Sequence, residues 1–302
     1  MEQWEGNAQT FRILTQIENA GENGGLQLTY ATLGAGMKYP WGVDVARNKT
    51  KKFGFFQSEQ HMQPKSRTRS VCYLRKGGGR CRHPLAYVVE AADDICYSII
   101  DLEDSIIMGS FDFHRFEELL KPFLKGDVDH SKEYEEVAKT DWQKISYLRS
   151  KAIGSLVKQC VQEFLNNEDK LLAGEYAGSL VDNVPGDAVV KTAKALGLKE
   201  VFEHEKKQYA EIASFEILDG LLSEFTAAYL DVKKDEAKAS LKSRRMHRLM
   251  GEMRPTAEME AYPALMRIAD FVSGMTDRYA LGMYRQVKGI SLSGFTPAPF
   301  KA

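Results

Sequence analysis

Three residues on one predicted helix could form a polar binding site. Asp93, Tyr97 and Asp101 follow one another at intervals of four residues. In an α-helix each such step turns by only about 40°, so the three side chains share one side over roughly 12 Å. An isolated buried carboxylate is costly. Because Val89 and Cys96 flank Asp93 on neighbouring turns, we expect this carboxylate to need a cation, a metal ion or a strong hydrogen-bond donor.

The same spacing also fits a helix whose acidic face is exposed to solvent. Asp94, Glu103 and Asp104 lie on the same segment and would be at home on such a face. Spacing alone does not identify an enzyme, and on spacing alone both interpretations stay open.

The helix that carries these residues is predicted to run from Pro84 to Ile107. Proline suits the first helical position. Apolar residues then recur at helical spacing and form one stripe. Its members are Val88, Ala92, Ile95, Ile99, Leu102 and Ile106. Val89, Cys96 and Ile100 add a second apolar face, so we expect this helix to be enclosed on several sides.

Helical periodicity also dominates the rest of the chain. Further helices are predicted over 3–17, 26–37, 142–172, 188–195, 201–230 and 262–284. No strand-like alternation competes over a comparable length. Residues 42–82 are instead basic, rich in glycine and interleaved with aromatic residues, which indicates functional loops. The predicted fold is mainly α, built as one large multi-helix domain.

Composition excludes several classes of protein. The 302 residues include 41 basic and 42 acidic ones, so the chain has no overall bias toward polyanions. Four cysteines without a CxxC pair suggest neither a structural zinc site nor a disulfide framework. No apolar run approaches the roughly 20 residues that cross a bilayer, and the polar start is not a signal peptide. We expect a cytoplasmic protein with no membrane partner.

Five motifs resemble one enzyme family. Residues 82–97 read RHPLAYVVEAADDICY and precede DLED at 101–104. This closely resembles the signature of bacterial dGTP triphosphohydrolases, which are helical enzymes of the HD-domain superfamily. Four other segments match the family in the same order. They are WEGNAQTFR at 4–12, TLGAGMKYP at 32–40, KFGFF at 52–56 and SGMTDRYA at 273–280, with Trp4 in place of the usual Phe.

The resemblance implies roles for the three residues on the central helix. Asp93 would be the last protein ligand of a single divalent metal ion, Mn²⁺ or Mg²⁺. Tyr97 would pack under the deoxyribose, and Asp101 would accept a hydrogen bond from the 3′-hydroxyl. These residue types suit the roles, since carboxylate oxygens bind hard cations and accept hydrogen bonds from hydroxyl groups.

Four more residues would lie near the triphosphate or the base by the same resemblance. They are Asn7, Lys38, Tyr39 and Lys52. Two lysines suit a polyanionic tail, although many single lysines contact no ligand, so these assignments stay open. Arg278 is either another phosphate contact or part of a packed helix, and we favour packing.

The metal site that the resemblance implies is incomplete in this sequence. An HD-domain site uses an upstream His, an adjacent His-Asp pair and a distant Asp, and only Asp93 has a counterpart here. The six histidines, none followed by Asp, are His61, His83, His114, His130, His204 and His247. We expect His83 to start a helix. The family places the other ligands and a catalytic histidine ahead of the EGNAQ helix, so no catalytic residue is assigned in this chain.

We therefore expect an N-terminally truncated enzyme. Residues 1–302 would be the C-terminal part of one helical domain, with a partial nucleotide-site region at 1–110 and a C-terminal helical region at 111–302. The complete enzyme would hydrolyse dGTP, or another dNTP, to the deoxynucleoside and inorganic triphosphate by attack of a metal-polarised water. The chain alone would be inactive. Family members are commonly oligomeric, so we also expect a homo-oligomer.

Two other interpretations remain open on sequence. The chain could be a non-catalytic subunit that binds a nucleotide or single-stranded DNA, because the basic and aromatic stretch from Lys49 to Arg82 suits phosphate contact and base stacking. It could also be a degenerate fragment that aggregates through apolar helix faces left bare.

Overall fold

The chain forms two compact units, Glu2–His204 and Glu205–Ala302. The computed structural model describes residues 4–19, 24–43, 51–62, 73–74, 80–125, 129–202 and 205–291. Within these ranges the strands are β1 (Tyr73–Leu74) and β2 (Arg80–Cys81), which pair antiparallel. The predicted mainly α class is confirmed. The subdivision predicted at residue 110 stays a prediction.

The described elements are mostly α-helices. In the first unit they are α1 (Gly6–Arg12), α2 (Tyr30–Ala35), α3 (Pro84–Ile107), α4 (Phe113–Leu120), α5 (Ser131–Val137), α6 (Asp141–Asn166), α7 (Glu168–Ala173) and α8 (Asp187–Leu196). In the second unit they are α9 (Glu205–Lys234), α10 (Leu241–Leu249), α11 (Ala261–Ser273) and α12 (Asp277–Val287). Across the described residues, no helix has both the length and the apolar character to span a membrane.

Short π and 3₁₀ segments complete the described secondary structure. The π-helical segments Ile13–Ile17 and Gly197–Phe202 continue α1 and α8. The 3₁₀ turns are Gln57–Met62, Lys121–Leu124, Val181–Asn183 and Gly251–Met253.

The start of α3 follows from two residues. His83 caps the helix, because its Nδ1 accepts a hydrogen bond from the Leu85 N–H at 3.2 Å. Pro84 comes next, at a position where its lack of an N–H costs nothing. Burial lowers the pKa of His83, which favours the neutral ring that can act as an acceptor. Both predicted bounds of α3 and the predicted role of His83 are confirmed.

One face of α3 is buried from Tyr87 to Leu102, and near the start of the helix Ala86 and Glu90, on other sides, are buried as well. The core side carries Tyr87, Ala91, Ile95, Ile99 and Leu102. The expectation that α3 is enclosed on several sides is wrong for most of the helix, because Val88, Val89, Cys96 and Ile100 are exposed. The reason is geometric. The helix contacts α6 and α8, and only the stripe through residues 87, 91, 95, 99 and 102 faces that core.

The core of the first unit lies between α3, α4, α6 and α8. Among its most deeply buried members are Leu102, Phe116, Leu148, Leu156 and Val190. The start of α6 is fixed by a capping box, in which the Thr140 side chain accepts from the Gln143 N–H and the Gln143 side chain accepts from the Thr140 N–H. This reciprocal pair satisfies two N–H groups that an uncapped helix would leave without partners. A well-defined core thus supports α3 from one side.

The second unit packs around the C-terminal half of α9. Its core includes Leu221, Phe225 and Tyr229 of α9, Ile268 of α11 and Met283 of α12. Gly220 lets α12 approach, since a Cβ there would lie 2.5 Å from Cε2 of Tyr284. Arg278, for which packing was favoured, is exposed at the start of α12. The helix itself is packed, since Ala280 and Met283 face the core.

Several helix bounds differ from those predicted. The helix predicted over 262–284 is two helices, since α11 ends at Ser273 and Thr276 caps α12. The helix predicted over 142–172 divides into α6 and α7 at Asn167. Helices α4, α5 and α10 were not predicted. Polar residues dominate α5 and α10, whose buried positions are Tyr134 and Met246, so neither presents a strong apolar stripe.

The core position of α6 predicts the outcome of a stability experiment. Leu148 is fully buried, whereas Leu165 on the same helix is 57% exposed. We expect Leu148→Ala to lower the free energy of unfolding by about 3 kcal/mol through loss of burial and formation of a cavity. Leu165→Ala should change it by less than about 0.5 kcal/mol. Urea unfolding followed by circular dichroism would measure both, and equal effects would contradict the packing of α6.

Candidate functional site

The three residues predicted on α3 lie on one continuous helix. Asp93 and Tyr97 are exposed, with Tyr97 at 62%, and Asp101 is half-buried. The expectation that Asp93 lies in an apolar interior is therefore wrong for this structure. Its flanking apolar residues, Val89 and Cys96, are themselves exposed. Asp93, Tyr97 and Asp101 therefore lie on a side of α3 that the described residues leave largely uncovered, which we call its open face.

The loop that bears Lys38 and Tyr39 is tied to α3 by a buried carboxylate. Glu90 is 8% exposed. One of its oxygens lies 3.0 Å from Nζ of Lys38, and the other accepts from Arg82 at 2.5 Å. Arg82 also donates from Nε to the Lys38 carbonyl at 2.9 Å. Glu90 was not among the predicted site residues, although its spacing of seven residues from Tyr97 and eleven from Asp101 places it on the same side of the helix and is a signal that could have found it.

This carboxylate changes the acidity of Lys38. Burial alone would lower the pKa of Lys38, but the hydrogen bond and the charge of Glu90 outweigh burial, with smaller contributions from Tyr39 and Asp94. The pKa of Lys38 is therefore raised above its ordinary value of 10.5. The lysine is held as an ammonium ion at neutral pH.

A second buried carboxylate brings Asn7 and Lys52 together. Glu5 is 4% exposed and caps α1. Its Oε2 accepts from the backbone N–H groups of Asn7 and Ala8 at 2.6 and 3.3 Å. Its Oε1 accepts from the Asn7 side chain at 3.0 Å and from Nζ of Lys52 at 3.1 Å. Glu5 was also absent from the predicted set, because Lys52 is 47 residues away in the sequence.

The loop that bears Lys38 and the loop that bears Lys52 are joined to each other by two hydrogen bonds. The indole N–H of Trp41 donates to the Lys52 carbonyl at 2.7 Å. The Gly54 N–H donates to the Trp41 carbonyl at 3.0 Å. The rings of Tyr39 and Trp41 lie 5.7 Å apart between centroids. The structure thus connects Asn7, Lys38, Tyr39 and Lys52 in one network, and Glu90 attaches that network to α3 one turn before Asp93.

A cleft of about 480 Å³ opens beside Glu90. Its lining includes Trp41, Arg80, Arg82, Tyr176 and Asp182. Neither Asp93 nor Tyr97 is among its lining residues. The side of α3 that carries Asp93 and Tyr97 is therefore next to the cleft but is not one of its walls.

The described residues do not fit a divalent metal ion by themselves. Within the part of the chain that the structure describes, no group of three or more His, Cys, Asp or Glu side chains could hold a metal ion. Among the histidines, His61 Nδ1 lies 2.8 Å from the Ser58 carbonyl, and His83 caps α3. A single exposed carboxylate such as Asp93 is too few ligands for tight binding of a divalent ion in water.

Much of the basic stretch considered for single-stranded DNA lies outside the described residues. The structure describes 51–62, 73–74 and 80–82 of it. Within these ranges the Arg80 guanidinium lies 5.6 Å from the centroid of the Phe55 ring. Arg82 is paired with Glu90, so two of the basic groups already have partners inside the protein.

Comparison with known proteins finds relatives that carry similar names. No family model matches the chain. A deoxyguanosinetriphosphate triphosphohydrolase-like protein of Pseudomonas aeruginosa is 37% identical over 295 residues, which cover 95% of this chain and 66% of the relative. Another from Synechocystis is 36% identical over 301 residues, covering 96% and 66%. A deoxyguanosinetriphosphate triphosphohydrolase of Serratia proteamaculans is 26% identical over 333 residues, covering 94% and 63%. The chain thus spans 63 to 66% of the length of these three relatives.

The pairing of Lys38 with Glu90 predicts a pH dependence. A raised pKa in the folded state means that the pair stabilises the fold at neutral pH, and that this contribution is lost as pH rises through the folded value, which lies above 10.5. We expect Glu90→Gln to lower the pKa of Lys38, because burial then acts with less opposition. An NMR titration of labelled lysine Cε groups would measure it.

Glu103→Gln is the matched control for this titration. Glu103 is a buried carboxylate on the same helix and pairs with Arg149 at 2.5 Å. This variant should leave the pKa of Lys38 unchanged. An unchanged Lys38 pKa in Glu90→Gln would contradict the assignment of Glu90.

Proposed function

This chain belongs to the family of deoxyguanosinetriphosphate triphosphohydrolase-like proteins, and we propose that it carries the substrate-binding part of a deoxynucleoside triphosphate triphosphohydrolase. The complete enzyme would hydrolyse dGTP to deoxyguanosine and inorganic triphosphate. One observation carries the proposal for this chain: the residues that the family resemblance assigns to the triphosphate or the base form a single connected network beside α3, and the network includes two paired lysines.

The network suits a polyanion with closely spaced charges. Lys38 and Lys52 each remain held in place by a buried carboxylate, Glu90 and Glu5 respectively. Lys52 is nevertheless about half exposed, so its ammonium group is accessible to a ligand. A triphosphate carries several negative charges on a short chain, and two oriented ammonium groups would attract and align it.

The open face of α3 would hold the sugar. Tyr97 offers an exposed aromatic ring, and Asp101, one turn further on, offers a carboxylate acceptor for the 3′-hydroxyl. Asp93 would contribute one oxygen ligand to a metal ion. Since the described residues do not complete such a site, we assign no reaction step to this chain. Its own residues bind and orient the nucleotide.

We place the remaining ligands in polypeptide that covers the open face of α3. Leu85, Val89 and Ile107 are large apolar side chains exposed on the same side of this helix as Asp93. Exposed apolar surface of this kind usually marks a contact with another part of a protein. Roughly a third of the length of the P. aeruginosa relative lies outside its match to this chain, which is enough polypeptide to cover the helix and to supply ligands.

A reconstitution experiment tests this division of labour. We expect no appreciable release of triphosphate from dGTP and Mn²⁺ by the 302-residue chain alone, because one carboxylate cannot hold the ion. Addition of the part of the P. aeruginosa relative that lies outside its match to this chain should restore hydrolysis. Robust turnover by the isolated chain would refute the first expectation, and a well-folded but inactive pair would refute the second.

Neighbouring aspartates on α3 provide a matched pair of variants for the reconstituted enzyme. We expect Asp93→Asn to abolish activity by removing the metal ligand. Asp94→Asn should retain most of it, because Asp94 pairs with Lys194 at 2.8 Å instead. Triphosphate release at saturating Mn²⁺ would measure both, and equal losses in the two variants would remove the special role of Asp93.

Binding of inorganic triphosphate tests the network in the chain as it stands. We expect Lys38→Met and Lys52→Met each to weaken binding by about tenfold, which corresponds to one charge-assisted hydrogen bond. Lys158 is an exposed lysine on α6, and Lys158→Met should leave the affinity unchanged. Isothermal titration calorimetry at two salt concentrations would measure the effect. Equal weakening by all three variants would indicate only diffuse attraction.

A further inference from the structure

Trp41 contacts the Lys52 loop at two points that lie two residues apart. Its indole Nε1 donates to the carbonyl of Lys52 at 2.7 Å, and its own carbonyl accepts from the Gly54 N–H at 3.0 Å. Trp41 thus forms hydrogen bonds with both neighbours of Phe53, which is 1% exposed. These two bonds fix the position of the Lys52 segment relative to the loop that bears Lys38.

Gly54 makes this close approach sterically feasible. A Cβ at this position would lie 2.2 Å from the carbonyl oxygen of Tyr39. That distance is far inside van der Waals contact, and the obstructing atom belongs to the backbone, which cannot rotate away. Any side chain at residue 54 would therefore push the Lys52 loop away from the loop that bears Lys38 and Tyr39.

The separation of the two ammonium groups depends on this junction. The Lys38 side chain is anchored to α3 through Glu90, and the Lys52 side chain is anchored to the start of α1 through Glu5. Trp41 and Gly54 join the backbones of the two loops directly. A short polyanion binds more tightly to two cations only when both can contact it at once. The junction therefore controls whether Lys38 and Lys52 can bind the same triphosphate.

We propose that Trp41 is a positioning residue for triphosphate binding, which sets the place of Lys52 relative to Lys38 through its indole hydrogen bond. The inference rests on the proposed function of the lysine network. Trp41 itself carries no charge and acts through the backbone of Lys52.

A double-mutant cycle tests this role in the intact 302-residue chain. The affinity for inorganic triphosphate would be measured calorimetrically for the wild type, Trp41→Phe, Lys52→Met and the double variant. Phenylalanine keeps an aromatic ring but loses the N–H donor. We expect Trp41→Phe to weaken binding by about fivefold in the wild-type background, the equivalent of one hydrogen bond, and to have no effect once Lys52 is Met.

Two further variants keep the test independent of stability. Trp142 is an exposed tryptophan on α6, and Trp142→Phe should leave the affinity unchanged. Gly54→Ala should weaken triphosphate binding in the same direction as Trp41→Phe, because it separates the same two loops. Thermal unfolding of each variant would show whether the chain is folded. If Gly54→Ala does not fold, Trp41→Phe alone tests the positioning role.

Each remaining outcome counts against a specific statement. Equal effects of Trp41→Phe with and without the Lys52 side chain would overturn the positioning role and leave the proposed function intact. Loss of dGTP affinity with unchanged affinity for inorganic triphosphate would also overturn it, since Trp41 would then contact the nucleoside directly. Absence of any triphosphate binding by the wild type would overturn both this inference and the proposed role of the lysines.

Discussion

The candidate site depends on one buried carboxylate held between two cations. Glu90 is a buried residue of α3, and an unpaired charge there would be strongly unfavourable. Lys38 and Arg82 pair with its two oxygens, and removal of one partner from a buried ion pair commonly costs about 3 to 5 kcal/mol. Two segments far apart in the sequence are thereby fixed to the helix that carries Asp93, Tyr97 and Asp101. Because Glu90 needs cationic partners, the segments that bear Lys38 and Arg82 are held against α3.

The same arrangement recurs around the N-terminal loops. Glu5 binds Lys52 and caps α1, and the fully buried Glu59 accepts from Arg12 at 2.6 Å and from the Phe56 N–H at 3.1 Å. The apolar cluster in this region is small, with Phe11, Leu33, Met37 and Phe55 as its buried members. A buried ion pair adds little net stability, but removal of one partner is costly because it leaves a buried charge unpaired. In these loops such pairs determine which segments meet, whereas the large core beneath α3 supplies the support.

Features of the fold and site could be predicted from the sequence where they depend on residues close together in the chain. The bounds of α3, its histidine cap and the mainly α class follow from neighbouring residues and were predicted correctly. The carboxylates that organise the site were missed, because Glu5 and Lys52 are 47 residues apart and no short-range pattern links them. The buried face of α3 was also mistaken. Val89 and Ile100 lie on the other side of the helix and are as apolar as Ile95 and Ile99, so periodicity alone could not identify the face that the fold covers.

The histidine at the start of α3 makes the first turn of that helix sensitive to mild acid. A protonated ring can no longer accept the Leu85 N–H, and its positive charge would lie at the positive end of the helix dipole. The depressed pKa of His83 means that the unfolded chain takes up this proton first, so stability declines as pH falls below the ordinary histidine range. Arg82 precedes this cap directly, so acidification would loosen the helix at the point where the Glu90 pair is anchored.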